Sequence, residues 1–140
     1  MQRHDMTTDA TPPPTSRGMR WTGRSISALP VLMLVGFGLN ACFHPAMMKL
    51  QTQHLGFPDG SVPVILALEI GSAVLYAIPP TSVLGAILLT GYLGGAVASH
   101  VRVQEGQFVV AVVVGVLVWL GLFLRDARVR ALLPLRRSTR

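Results

Sequence analysis

Four long apolar runs constrain the fold of this chain more than any other feature of its sequence. Each run has about 17 to 21 residues, and a helix of that length crosses most of a ~30 Å hydrocarbon layer. None of the runs has the polar stripe that a helix on the surface of a soluble protein shows. The centre of the last run, "VVAVVVGVLVWL", would suit a buried strand by propensity, but its length and the three similar runs favour a helix. The runs are residues 28–48, 62–79, 81–101 and 107–124.

The low charge of the chain supports the same class. Charged residues make up 13% of the 140 residues, against about 25% in ordinary soluble domains, and the mean hydropathy is +0.53. A chain of this length forms a single domain, and so few charges leave too little polar surface to cover a soluble globule. We therefore predict an all-α membrane protein with four transmembrane helices in an antiparallel up-down bundle.

The basic residues lie mainly outside the apolar runs and predict the topology. Residues 1–27 include three consecutive prolines and are predicted to be a disordered basic cytoplasmic tail, and residues 126–140 form a second basic cytoplasmic tail. An even number of spans in the membrane domain, residues 28–125, places both tails on one side. The chain is then a multi-pass protein of a bacterial-type inner (cell) membrane with both termini cytoplasmic. A pI near 11.1 would also suit a nucleic-acid-binding protein, but no recognition motif accompanies the charge, so we expect no nucleic-acid partner.

The single cysteine, Cys42, limits any thiol chemistry. It cannot form an internal disulfide or a Cys-x-x-Cys pair, so a partner would have to supply the second sulfur. The sequence "LNAC" at residues 39–42 is similar to a lipoprotein processing site, but Asn40 suits that motif poorly and the apolar run continues to Met48. No zinc-ligand spacing, catalytic triad or phosphate-binding loop is present, so we predict no metal site and leave the catalytic residues unknown.

Small residues in the third apolar run predict close helix packing. Gly91 and Gly95 form a G-x-x-x-G pair, and Gly94 and Ala98 form a second small-residue pair. In lipid, helices associate through close backbone approach, which small residues permit. We favour packing within one bundle, and a dimer interface is the alternative.

Four polar residues are the candidate site: Lys49, Glu69, His100 and Arg102. The predicted topology places all of them in the outer half of the membrane, where the only sizeable loop, residues 49–61, also lies. Glu69 is about 10 Å deep, where an unpaired carboxylate is costly, so we expect it to pair with Lys49 or, preferably, His100. The cluster is either a ligand-binding or proton-handling site or a structural one.

Several segments together resemble the DoxX-like family of small membrane proteins. They are "MKL" (48–50), "LGFP" (55–58), "LEIGSAVL" (68–75) and "LGAILLTGYLGGAVASHVR" (84–102). The resemblance implies a four-helix integral membrane protein, and places Lys49, Glu69, His100 and Arg102 on recurring polar positions of the family. Where the family usually has a serine-glycine pair before the lysine, this chain has Pro45 and Ala46, which predicts a kink at the end of the first helix.

The resemblance leaves two classes of function. Some relatives are subunits of thiosulfate:quinone oxidoreductases or partners in membrane-linked thiol and superoxide defence. The first class is therefore a non-autonomous subunit associated with membrane redox chemistry, or one that binds a small molecule in an outer-half polar pocket. The implied cofactor is then a quinone, bound by this chain or shared with a partner. The implied partner is a redox protein or a second copy of the chain. The second class is a non-catalytic membrane scaffold or chaperone whose polar cluster is structural. In both classes the chain is not an enzyme on its own.

Overall fold

A computed structural model describes residues 17–132, and every regular element in that range is helical. The helices are α1 (Arg17–Phe43), α2 (Pro45–His54), α3 (Val62–Ala77), α4 (Ser82–Arg102), α5 (Phe108–Arg125) and α6 (Ala127–Leu132), with a single 3-10 turn, Pro79–Thr81, before α4. The all-helical prediction is confirmed for this part of the chain. The outer parts of both predicted tails, residues 1–16 and 133–140, lie outside the described residues.

Three segments are long and apolar enough to cross a membrane: α1, the segment Pro79–Arg102 that contains α4, and α5. The helix in the second predicted run, α3, is apolar but has only 16 residues, a length of about 24 Å. It ends early because Pro79 and Pro80 follow, and Ile78, the residue before them, takes an extended conformation. The segments of full spanning length therefore number three among the described residues, where the sequence predicts four.

The first helix differs from its prediction at both ends. It begins at Arg17, within the predicted disordered tail, because its early turns pack on α5. A Cβ atom placed on Gly23 would lie 2.7 Å from the backbone nitrogen of Arg125. It ends at Phe43 rather than Met48, because Pro45 lacks the backbone N–H that would continue the helix.

The predicted loop of residues 49–61 is half helical. Pro45 occupies the start of α2, a position that tolerates proline because its N–H would be unpaired there. The helix continues to His54, so Lys49 lies on a helix and not in a loop. We call the end of the molecule formed by α2, residues 55–61 and residues 103–107 the loop end. The opposite end, where α1 begins and α6 lies, is the tail end.

Contacts join the four longer helices in a closed order: α1 contacts α3 and α5, and α4 contacts the same two helices. Each helix contributes one face to the core, as the helical period requires. In α3 the buried residues are Glu69, Ser72, Ala73 and Tyr76. The opposite faces stay apolar and exposed, and Leu32, for example, is 70% exposed. Such surfaces suit lipid, and helix association then depends on close packing and hydrogen bonds.

Tyr76 is the polar centre of this packing. Its buried hydroxyl lies 2.8 Å from the carbonyl oxygen of Val118 in α5, to which it donates, and 3.0 Å from the hydroxyl of Ser27 in α1. Arg125 donates to the Tyr76 carbonyl oxygen at 2.9 Å, and its guanidinium lies 4.7 Å from the centroid of the Tyr76 ring. One side chain of α3 is thus bound to both α1 and α5.

The glycines that pack between helices are not the predicted ones. A Cβ atom on Gly85 of α4 would collide with the backbone of Tyr76, and one on Gly121 of α5 would collide with Ser27. By contrast, no atom of residues 17–132 lies within 4 Å of a Cβ atom placed on Gly91, Gly94 or Gly95. The prediction that these glycines pack within the chain is therefore wrong for the described residues, because the buried face of α4 carries Gly85 and Leu89 instead. Contact with a second copy stays a prediction.

Two matched substitutions in α4 test this assignment. Gly85→Ala should lower the free energy of unfolding by about 1–3 kcal/mol, because the added methyl group overpacks the α3–α4 contact. Gly95→Ala should cause no loss, because its methyl group meets open space and alanine favours the helix. Thermal unfolding of the two purified variants in detergent measures the difference. Equal stability of the two would contradict the α3–α4 packing described here.

Candidate functional site

The four predicted site residues lie at or near the loop end, but they do not form one cluster. Glu69 belongs to the buried face of α3, Lys49 lies on α2, and His100 and Arg102 end α4. Each of them has a different partner. The predicted single polar pocket is replaced by a buried pair and a set of contacts across the loop end.

Glu69 is 4% exposed and accepts a hydrogen bond from the hydroxyl of Tyr92 in α4. The predicted pairing with His100 is wrong, because His100 lies eight residues further along α4, a distance of about 12 Å on a helix. Lys49 is not the partner either, since it pairs with Asp59. Tyr92 lies in the third apolar run and is not among the predicted site residues. Residues seven positions apart share one face of a helix, so Tyr92 lies on the same face of α4 as Gly85, which contacts α3. This spacing is the sequence signal that points to Tyr92 as a partner for α3.

Glu105 joins two histidines at the loop end. His54 Nε2 and His100 Nδ1 each lie 2.9 Å from a different oxygen of the Glu105 carboxylate. His54 ends α2, and His100 belongs to the last turn of α4. The hydrogen bond with His100 is the main reason that the pKa of Glu105 is lowered from its ordinary value of 4.5. We call this arrangement the His–Glu–His clasp.

The turn after α4 places Glu105 beside His100. The backbone N–H of Glu105 donates to the His100 carbonyl oxygen, and that of Gln104 donates to Val101. These two bonds form a Schellman motif, in which one residue takes the left-handed conformation. Gln104 does so, with φ of 59°, although glycine is the usual residue there. Glu105 is the only acidic residue between α4 and α5, which is the sequence signal that could have identified it.

Arg102 holds the chain that follows α2. Its guanidinium donates to the carbonyl oxygen of Leu55. It also covers Gly56, whose φ of +78° favours glycine and where a Cβ atom would meet the guanidinium. Arg102, Gly56, Phe57, Ala98 and Ser99 line a cavity of about 220 Å³. Arg102 is therefore the one predicted site residue that lines this cavity.

Lys49 makes an outer contact on the same end. Its Nζ lies 3.8 Å from Asp59 Oδ2, and both side chains are exposed. Gln53 Nε2 donates to the other Asp59 oxygen at 2.7 Å. An exposed ion pair of this kind contributes little stability. It nevertheless joins α2 to the segment that leads into α3.

A larger groove lies elsewhere, between α4 and α5. Its volume is about 670 Å³, its walls are apolar, and none of the four predicted residues lines it. The indole N–H of Trp119 donates to the Thr90 hydroxyl at its edge, at 2.9 Å. Within residues 17–132, no group of three His, Cys, Asp or Glu side chains is placed to hold a metal ion. Cys42 is exposed on α1.

The sequence profile of the DoxX-like family matches residues 25–121, which covers most of α1 and α5 and all of α2, α3 and α4. The chain belongs to the DoxX-like family. Family membership and the apolar helices together indicate an integral membrane protein. No curated protein and no solved structure matches the chain. The Glu69–Tyr92 pair and the His–Glu–His clasp both lie within the part of this DoxX-like protein that the family profile covers.

The lowered pKa of Glu105 predicts a pH-dependent clasp. A carboxylate whose pKa is lowered by folding contributes stability above its unfolded value and loses it as the pH falls through the folded value. We therefore expect the clasp to hold at neutral pH and to be lost as the pH falls below 4.5. Hydrogen exchange of residues 55–61 should become faster in that range.

In Glu105→Gln, exchange of residues 55–61 should already be fast at neutral pH and should lack the acid step. Asp59→Asn is the control, because it removes an acid from the same surface and leaves Glu105 in place. If the acid step survives in Glu105→Gln and disappears in Asp59→Asn, the pH dependence belongs to Asp59, and the prediction is contradicted.

Proposed function

We propose that this DoxX-like protein is a four-span, non-autonomous subunit of a membrane assembly whose polar residues are structural. The fourth span would be α3, which is short for the hydrocarbon layer and would require local thinning of the bilayer. Contacts between successive helices support an antiparallel bundle. Going toward the tail end, Tyr92 and then Gly85 of α4 face Glu69 and then Tyr76 of α3. The arginines at the tail end support a cytoplasmic location of both termini in a bacterial-type inner membrane.

The observation that carries the structural role is the separation of the four polar residues. Lys49 pairs with Asp59, His100 with Glu105, and Arg102 with the Leu55 carbonyl group. Every buried side-chain nitrogen or oxygen atom among the described residues has a hydrogen-bond partner. Groups paired in this way hold neighbouring elements together. The loop-end contacts would then fix α2 and the chain after it across the ends of α3, α4 and α5.

The exposed small-residue face of α4 supports an association with another membrane helix. Gly91, Gly94 and Gly95 are exposed, and no atom of the described residues lies within 4 Å of their Cβ positions. A partner helix can approach such a face closely in lipid. The partner in this proposal is a membrane redox protein or a second copy of the chain.

Quinone binding is the second candidate function, and the Glu69–Tyr92 pair favours it. The carboxyl group is buried in an apolar helix, and its partner is a phenol rather than a cation. Quinone carbonyl oxygens accept hydrogen bonds, and both Tyr92 and a protonated Glu69 have donors to offer. A partner protein would supply the electrons. On this alternative the same pair would bind a ligand, and its loss would abolish function without unfolding the chain.

A double-mutant cycle at this pair separates the two candidates. Glu69→Leu or Tyr92→Phe alone should each lower stability by about 1–3 kcal/mol, because each leaves one buried polar group without a partner. Glu69→Leu combined with Tyr92→Phe should recover much of that loss, because both polar groups are then gone. Thermal unfolding in detergent gives the three values.

The functional readout is quinone-dependent electron transfer in purified membranes, with and without the protein. The structural proposal expects the double variant to support the same activity as the wild type. Ser99→Ala is the control, since its hydroxyl bonds only within α4, to Gly95. A stable double variant that has lost quinone-dependent activity would favour the quinone-binding alternative.

A further inference from the structure

We propose that the arginine-rich tail end binds the phosphate groups of anionic phospholipids. We call three exposed arginines among the described residues the arginine collar: Arg17 and Arg24 at the start of α1, and Arg128 in α6. This surface is distant from the loop end and independent of the proposed subunit role. All three residues lie outside residues 25–121, the part of the chain that matches the family profile.

The fold brings these arginines together from opposite ends of the sequence. Gly23 of α1 packs against the backbone of Arg125, at the end of α5. Arg130 of α6 contacts the sulfur of Met19 in α1. Val129 of α6 is 5% exposed and anchors that helix in the core. The first turns of α1 and the part of α6 around Val129 and Arg130 therefore form one surface.

Among residues 17–132, the collar cations have no neutralising partners. Between described residues, none of Arg17, Arg24 and Arg128 has a carboxylate within ion-pair distance. The nearby acid, Asp126, lies just before α6 and accepts a hydrogen bond from the backbone N–H of Arg128 in its first turn. Arg125 is different, because it is bound to Tyr76. Within the described part of the chain, the three collar guanidinium groups are open to an external anion, and guanidinium groups match phosphate well.

The position of the collar along α1 favours lipid phosphate over a soluble anion. A helix of 27 residues is about 40 Å long, so α1 extends beyond a ~30 Å hydrocarbon layer into the headgroup region. Trp21 is 63% exposed, and the Arg24 guanidinium lies 5.9 Å from its ring. Exposed tryptophan is typical of the membrane interface. The exposed apolar residues Leu29 and Leu32 follow on the same helix.

Basic residues at this end would also orient the chain during insertion without binding any particular lipid. The two roles differ in one measurable property. An orienting role requires no preference among lipids in the assembled protein. Phosphate binding requires anionic lipid to be enriched around the protein, and the enrichment to depend on the collar and on salt.

The test uses the full-length protein in vesicles of equal parts phosphatidylglycerol and phosphatidylcholine. The ratio of the two lipids that copurify with the protein is measured by mass spectrometry. We expect phosphatidylglycerol to be enriched around the wild type. In Arg17→Gln/Arg24→Gln/Arg128→Gln the enrichment should fall by about fivefold or more, because each removed charge weakens the attraction.

Two control variants accompany this measurement. The corresponding triple Arg→Lys variant should keep most of the enrichment, because it keeps the charge. Lys49→Gln, at the loop end, should leave the enrichment unchanged. A triple Gln variant that retains the enrichment of the wild type would overturn the proposal.

The wild type alone provides a second measurement that does not depend on any variant folding. Raising the salt concentration from about 0.05 M to about 0.5 M should remove most of the enrichment, because exposed charges are screened. An absence of enrichment, or an enrichment that salt does not change, overturns the proposal. So does binding of a single-stranded RNA through the same arginines by a protein that shows no lipid preference.

Discussion

The buried hydroxyl of Tyr76 is the interaction on which the packing of the helices depends. In an apolar environment a polar group without a partner is costly, so this hydroxyl requires the Val118 carbonyl group and Ser27 to be close. Their closeness requires small residues at the crossings, and Gly85 and Gly121 provide them. The short helix α3 is thereby bound to α1, α4 and α5 at the tail end. Arg125 then covers the ring and binds the carbonyl group of the same tyrosine.

The loop end is held by polar contacts between elements that are short or end there. Proline starts α2 immediately after α1, which brings His54 to the end of α4. The left-handed Gln104 returns the chain so that Glu105 meets both His54 and His100. Arg102, at the end of α4, binds the carbonyl group of Leu55 and so holds the segment after α2. Lys49, His100 and Arg102 thus belong to one set of contacts at the loop end. Glu69 lies apart from them and pairs with Tyr92.

The sequence was most informative where its signal is local. The helices α4 and α5 lie within a residue or two of the third and fourth apolar runs, because prolines, polar turns and uninterrupted apolar residues mark their ends. It was less informative where a boundary depends on packing. The start of α1 looks like a charged tail, and its helix forms there because Gly23 and Ser27 meet α5. The glycines of α4 show the same limit, since spacing favoured Gly91 and Gly95 while contact is made at Gly85.

The sequence by itself determined that the chain is helical, apolar, basic at both ends and a member of the DoxX-like family, because composition, run length and motif are properties of consecutive residues. The tertiary structure alone decided which polar groups are partners. Glu69 pairs with Tyr92 and not with His100 because, in the antiparallel contact of α3 and α4, Tyr92 lies at the same height along the bundle as Glu69. Glu105 became part of the loop end because one turn has a left-handed residue. Hydrogen-bond partners on different helices depend on how those helices are positioned relative to one another. That positioning follows from the packing of all the side chains between the helices.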